Sequence, residues 1–227
     1  MGVTYRPMDV AVVRTGTERA TLVRRTYSLV FASVLVTMAA VAFSMRQPAI
    51  LSAAAAHPFI MFLCTLAPLF AAQRFRNAFP ANIGLVFLFT FAMGIAISPL
   101  IYVYGNAQPG IVGQAALLTG STFGVLTLYA WVSRRDFSAW GSFFMIGLWV
   151  LIATSLLNLF FHSAIASLWI AGATVLVFSG LLVFDTWRLR NVFGPNDYVL
   201  AAVAIYLDLL NMFTAILSLL GGGRRNS

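Results

Sequence analysis

The stretch LLVFDTWRLRNVFGPNDYVLAAVAIYLDLLN, residues 181–211, consists of two apolar arms around a Gly194-Pro195-Asn196 breaker, with one carboxylate inside each arm. Asp185 precedes Asn196 by eleven residues and Asp208 follows Asp197 by eleven. Glycine and proline end regular helix, so the arms read as an antiparallel helical hairpin. Both carboxyls then reach a similar depth, within ~16 Å of the turn at a rise of 1.5 Å per residue. A carboxylate deep in a membrane-spanning helix costs roughly 2.5 to 3.5 kcal/mol on insertion scales. Groups placed at that cost normally face a partner, a cavity or a permeation path, and these two read as a pair.

The rest of the chain is equally apolar. Of 227 residues, 61% are hydrophobic and 9% charged, which lies outside the range of soluble domains. Seven apolar stretches are present: 27–44, 58–72, 83–104, 111–132, 140–160, 164–184 and 198–220, of which the second is the shortest. At ~20 residues per span they consume most of the chain and leave no room for a soluble catalytic domain. The expectation is an all-α polytopic membrane protein, a bundle of seven transmembrane helices, and not an enzyme. Residues 1–25 are polar and predict a flexible cytoplasmic tail, uncleaved because the following apolar run is long enough to remain as an anchor. Residues 26–227 then form one transmembrane domain.

The formal net charge of +8 would suggest nucleic acid in a soluble protein, but all fourteen basic residues are arginines, most of them beside span ends. Arg24 and Arg25 precede the first span, Arg74 and Arg76 follow the second, Arg134 and Arg135 the fourth, and Arg188 and Arg190 the sixth. The intervening connections, 105–110 and the turn around His162, carry no arginine. The lipid bilayer is thus the partner the charge implies, and the positive-inside rule puts the N-terminus in the cytoplasm. Arg224 and Arg225 after the last span disagree with a seventh crossing, so a final segment that re-enters without crossing stays open. Arginine without lysine and abundant alanine suggest a high-GC bacterium, hence a multi-pass protein of the bacterial plasma (inner) membrane.

In the last span, Ala201, Ala204, Asp208, Asn211, Ala215, Ser218 and Gly222 recur at spacings of three and four, which puts small and polar residues on one face. Such a stripe permits close helix approach in lipid, and predicts a central last helix surrounded by the others. The simpler reading is a packing stripe that happens to contain a carboxylate.

Two carboxyls in one poorly solvated site do not both ionise cheaply, so one proton is shared and the pair titrates in two steps. Protonated, the pair ties the two helices together; losing that proton replaces the bond with like-charge repulsion, as in a pH sensor. Doubly ionised, Asp185 and Asp208 form a hard-oxygen site, to which Asn211 one turn on could add a ligand. Calcium prefers six to eight oxygens, so such a site binds it weakly, which suits a transported ion more than a stored one. No resident cofactor is implied. Arg188, three residues after Asp185, is the obvious partner for an ordinary ion pair. Arg74 and Arg76 are either topological anchors or gating residues that reach the aspartates. His57 and His162 match no metal spacing, and the single cysteine, Cys64, reads as a packing residue.

Val183-Phe184-Asp185-Thr186, followed by Tyr206-Leu207-Asp208-Leu209-Leu210-Asn211-Met212-Phe213, resembles the Bax inhibitor-1 (transmembrane Bax inhibitor motif) family, and its bacterial calcium-leak members in particular. Gly120-Ser121-Thr122-Phe123, Asp136-Phe137-Ser138 and Ser142-Phe143 follow the family order, so the resemblance covers most of the chain after Ala71. It implies a seven-helix fold with a central last helix and a pH-sensitive calcium leak whose sensor is Asp185 with Asp208. It also implies a basic residue at the end of the second helix in contact with the aspartates, a place open to Arg74 or Arg76. A glutamate of the bacterial leak protein has no match here, since Leu63, Cys64 and Thr65 occupy that region.

Three functions follow from these residues. The first is a proton-gated calcium leak. The second is a non-conducting interaction protein that modulates a membrane-anchored quality-control protease, as some bacterial relatives do. The third, an intramembrane aspartyl protease, is opposed by the local sequence. Asp208 sits in Tyr-Leu-Asp-Leu-Leu, without the glycines that admit a substrate backbone in that class.

Overall fold

The computed structural model describes residues 16–75 and 78–223. Among them the chain forms eight helices and no strand: α1 (Gly16–Met45), α2 (Pro48–Ala56), α3 (Pro58–Arg74), α4 (Ala81–Ala107), α5 (Ile111–Val132), α6 (Trp140–Phe161), α7 (Ala164–Asn191) and α8 (Tyr198–Gly223). Six of these are long and apolar enough to cross a membrane, and the count reaches seven when α2 and α3 are taken as one broken span. The protein is an all-helical, multi-pass membrane protein. Phe31, Leu117, Phe143, Phe160 and Trp169 are exposed on its outside, where hydrocarbon rather than water is the solvent.

The largest departure from the sequence expectation lies before the second span. Pro48-Ala-Ile-Leu-Ser-Ala-Ala-Ala-Ala56 forms a separate helix, favoured by proline in its first turn and by a run of alanines. It meets α3 at an angle of 98°. The corner is His57, whose φ of −128° and ψ of 58° lie outside the helical region, and Pro58 opens α3 because it lacks the N–H that would continue α2. At the N-terminus, α1 begins at Gly16, so residues 16–25, assigned above to the tail, are helical turns. Polar composition hides the reason. Leu22, Thr26 and Leu29 follow one helix face and are all buried, so these turns pack on the bundle. Residues 1–15 lie outside the described residues.

The last helix is the centre of the bundle. Of its apolar window 61% is buried, against 11 to 39% in the other five long helices. It contacts α1, α3, α4, α5 and α7. The small stripe does the packing: Ala201 and Ala215 are buried, and a Cβ on Gly222 would come within 2.6 Å of Leu168 Cδ2 on α7. Among the described residues α6 packs on α7 alone. Its seam is built of aromatic rings set against glycine: Phe144 fills the space over Gly180, and Phe184 lies 2.5 Å from where a Cβ on Gly141 would stand.

One buried hydroxyl cluster ties α1, α4 and α8 together. Thr37 is hydrogen-bonded to Tyr206 at 2.7 Å, and its hydroxyl has the carbonyls of Ser33 at 2.9 Å and Thr90 at 3.0 Å as acceptors. With its own proton directed to a carbonyl, Thr37 Oγ1 accepts from the Tyr206 phenol. Tyr206 also meets Phe89 edge-on at 5.8 Å between centroids. Tyr206→Phe keeps the ring and removes only the phenol donor. It is expected to lower stability by about 1 kcal/mol, read as a lower melting temperature in detergent. An unchanged melting temperature would show that the bond contributes nothing.

Candidate functional site

The hairpin that carries both aspartates is closed by backbone chemistry. Val192 and Phe193 N–H groups donate to the Arg188 carbonyl at 2.7 and 2.9 Å, ending α7. Across the turn, Gly194 N–H donates to Asp197 Oδ2 at 2.8 Å and Asp197 N–H returns to the Gly194 carbonyl at 3.0 Å. The Asp197 carbonyl then accepts from Ala201 N–H at 3.0 Å, which starts α8.

Asp185 lies six residues before the last residue of α7, while Asp208 lies ten residues after the first of α8. The backbones alone would therefore leave the two at somewhat different depths, roughly 9 and 15 Å from the helix ends. Side-chain direction closes the difference, because Cβ bonds tilt toward a helix N-terminus. That tilt carries the Asp208 carboxyl toward the turn and the Asp185 carboxyl away from it. The two lie within hydrogen-bonding reach of each other. Both are buried, with relative exposures of 7% for Asp185 and 3% for Asp208. Asp208 Oδ2 accepts no hydrogen bond from any N–H or hydroxyl group among the described residues.

Arg188 Nη1 donates to Asp185 Oδ1 at 3.0 Å, so the ion pair suggested by the spacing of three is present together with the carboxyl contact. The guanidinium also lies 4.4 Å from the centroid of Phe193 and 5.5 Å from that of Phe184. Planar arginine stacks on aromatic faces and stays charged, so these rings fix its approach. Arg188→Gln removes the ion pair without touching Asp208. It is expected to lower stability, because buried Asp185 loses its cationic partner, and an unchanged melting temperature in detergent would show that the ion pair contributes nothing.

The other candidates are placed as follows. Asn211 is half-buried and its Nδ2 donates to the Leu207 carbonyl at 2.8 Å, one turn back on the same helix. Arg74 is exposed, with its guanidinium 6.0 Å from the Phe75 ring and no ion pair to either aspartate among the described residues. Arg76 lies outside the described residues. Cys64, expected to be packed inside, is exposed on α3, while its neighbour Thr65 is buried and donates to the Phe62 carbonyl at 2.7 Å. Among the described residues no three His, Cys, Asp or Glu side chains gather as a metal cluster. Any hard-oxygen site here would be limited to the two aspartates and whatever Asn211, backbone or water adds.

Sequence reasoning missed Arg190, whose Nη1 donates to the Trp131 and Ser133 carbonyls at 2.7 and 3.0 Å and so caps the C-terminus of α5. The 136–138 motif has a local explanation. Asp136 Oδ1 accepts from Ser138 N–H at 2.8 Å, and the turn this makes buries Phe137 against Tyr129, Trp140 and Val183.

At the opposite end of the bundle a cavity of about 620 Å³ opens between α4, α6, α7 and α8. Its polar lining is Ser155, Asn158, Ser167, Thr174, Thr214 and Ser218. Thr214 is six residues from Asp208 along α8. That separation is about 9 Å, and the layer between holds buried Met212, to whose sulfur Ser179 donates at 3.7 Å.

The family model described as "Inhibitor of apoptosis-promoting Bax1" matches residues 19–226. Mouse Protein lifeguard 4 is 31% identical over 205 residues, covering 89% of this chain and 85% of its own. Bax inhibitor 1 of Schizosaccharomyces pombe is 30% identical over 207 residues, covering 89% and 77%. A membrane protein of Vibrio cholerae is 39% identical over 149 residues, covering 64% and 66%.

Proposed function

Since this chain belongs to the Bax inhibitor-1/lifeguard family, we propose that it is a pH-sensitive calcium leak of the bacterial inner membrane, N-terminus cytoplasmic, gated by a proton shared between Asp185 and Asp208. The observation that carries this reading is the buried, facing carboxyl pair, in which Asp208 Oδ2 has no N–H or hydroxyl donor among the described residues. A buried carboxylate oxygen without a donor is costly, and a proton on either member supplies the missing bond. The protonated pair holds α7 to α8; removing the last proton sets two anions against each other. Among the described residues Arg188 is the charged group that offsets this repulsion, from the Asp185 side alone.

The hydroxyl-lined cavity supports the cation route. It approaches the pair to within two turns of α8 and stops at the Ser179–Met212 layer, as a closed leak would. Two carboxylates plus Asn211 fall well short of six to eight oxygens, so calcium visits the site without being retained. The test is calcium flux into liposomes containing the purified protein, followed from mildly acidic to mildly alkaline pH. No flux at any pH would overturn the leak.

The region 63–65 favours a second reading. Exposed Cys64 and self-bonded Thr65 put no acid on α3, so a cation path through that helix has nothing to steer it. On this reading the protein is a non-conducting partner of a membrane-anchored quality-control protease. Stoichiometric crosslinking to such a protease, with no flux, would select it.

A further inference from the structure

At the arginine-bearing end of the bundle, a groove of about 670 Å³ lies between α1, α4 and the start of α8, remote in role from the aspartate pair. Arg24 and Arg25 line it, and among the described residues no acidic side chain does. Among the described residues neither arginine has a carboxylate partner. The Arg25 guanidinium lies 5.8 Å from the centroid of the Tyr198 ring, and the Tyr198 hydroxyl accepts from Asn82 Nδ2 at 3.0 Å. Accepting that bond leaves the phenol its own O–H to donate. Asn82 and Tyr198 also stand in the first turns of α4 and α8, whose positive dipole ends face the same region. Two guanidinium groups, a phenol and two helix starts, with no carboxylate among them, make an environment complementary to an anion with several oxygens.

The groove is not polar throughout. Leu29 and Ala32 on α1 and Ile83 and Phe87 on α4 continue it with apolar walls. Ala32 is seven residues beyond Arg25, so the walls run roughly 10 Å from the charges into the span. A free inorganic anion would occupy the head of such a groove and leave its walls uncovered. A ligand with an anionic head and a hydrocarbon tail covers both, and the bilayer supplies it at high local concentration. Basic pockets between spanning helices are suited to such head groups.

We infer that the Arg24–Arg25–Tyr198 groove is a binding site for an anionic phospholipid, with the phosphate held by the two arginines and an acyl chain lying along Leu29, Ala32 and Phe87. The test uses the full chain in an uncharged detergent and native mass spectrometry. It is titrated with phosphatidylglycerol, with phosphatidylcholine of the same chains, and with inorganic phosphate as competitor. Retention of one phosphatidylglycerol in preference to phosphatidylcholine is expected. Arg24→Gln with Arg25→Gln weakens it about tenfold or more, and Ala32→Trp, which fills the wall without changing charge, weakens it similarly. Arg134→Gln with Arg135→Gln, an exposed pair outside the groove, leaves it unchanged. Equal loss in that control pair would reduce the effect to diffuse electrostatics and overturn the site. So would equal retention of phosphatidylcholine, or displacement of the lipid by inorganic phosphate at matching concentration. If the double glutamine variant does not fold, Arg24→Lys with Arg25→Lys takes its place. Preserved selectivity there, together with loss in Ala32→Trp, supports the site, and selectivity lost with lysines or kept with tryptophan refutes it.

Discussion

Replacing Asp185 and Asp208 together by asparagine is expected to give a folded protein whose calcium flux no longer varies with pH. Asparagine has the shape of aspartate, and its amide supplies the donor that the buried Asp208 Oδ2 lacks, so the contact between α7 and α8 survives the change. What disappears is the titrating proton. The sign of the structural effect follows from the same geometry. On the proposed reading a proton shared by the pair favours the closed hairpin at low pH, and that contribution is lost as pH rises through the second ionisation and both carboxyls become anionic. A distance between spin labels placed across the α7–α8 hairpin should therefore lengthen with pH in the native protein and stay constant in the asparagine variant. Asp208→Asn alone should also hold the hairpin together, because its amide donates to the Asp185 carboxyl, which Arg188 already pairs with. A variant that passes calcium with the native pH profile would end the sensor model.

The second large effect is expected at Gly94. A Cβ there would lie 2.6 Å from the Thr37 carbonyl oxygen and 2.6 Å from Ala40 Cβ, and neither can retreat without moving the α1 backbone. Gly94→Ala should cost about 1 to 3 kcal/mol, the usual range for overpacking. Gly94→Leu should separate the α1–α4 seam altogether. The damage spreads beyond the contact, because Thr37 carries the hydrogen bonds to Thr90 and Tyr206 that lock α1 to α4 and α8. Ser44 and Ser98, paired at 2.7 Å further along the same two helices, would part as well. Gly84 is the control. Nothing lies within 4 Å of a Cβ at that position of α4, so Gly84→Ala should be neutral or slightly stabilising through helix propensity. Detergent melting of the variants decides the matter, and a Gly94→Leu protein that melts like the parent would refute this account of the seam.

These two sites differ in how visible they are in the chain. The aspartate pair is legible because charge in an apolar arm is rare, and because the breaker between the arms sets their relative depth. The central position of α8 is legible for a similar reason, since a stripe of alanine, serine and glycine in lipid has few other uses. Gly94 is not. A glycine in a spanning segment looks the same whether it faces lipid or a backbone carbonyl, and only the tertiary arrangement tells Gly94 from Gly84. Thr37, Thr90 and Tyr206 are hidden likewise, since their partners lie on other helices and no local pattern joins positions far apart in sequence. The corner at His57 had a local signal in Pro58, but nine residues of mostly alanine and small apolar side chains do not resemble a separate helix when spans are sought by length. Arg188 was legible as a partner of Asp185 by its spacing, whereas the Phe193 ring beneath its guanidinium arises from the chain reversing after α7.

The attachment of α6 has a mechanical consequence. Among the described residues α6 is a rod fastened along its length to a single neighbouring helix, with rings seated in glycine hollows. Wherever α7 swings, α6 swings with it, sweeping a broad oily vane through the surrounding acyl chains. The work of moving that vane is done against the lipids themselves, so the stiffness of the membrane enters any rearrangement of the aspartate-bearing arm.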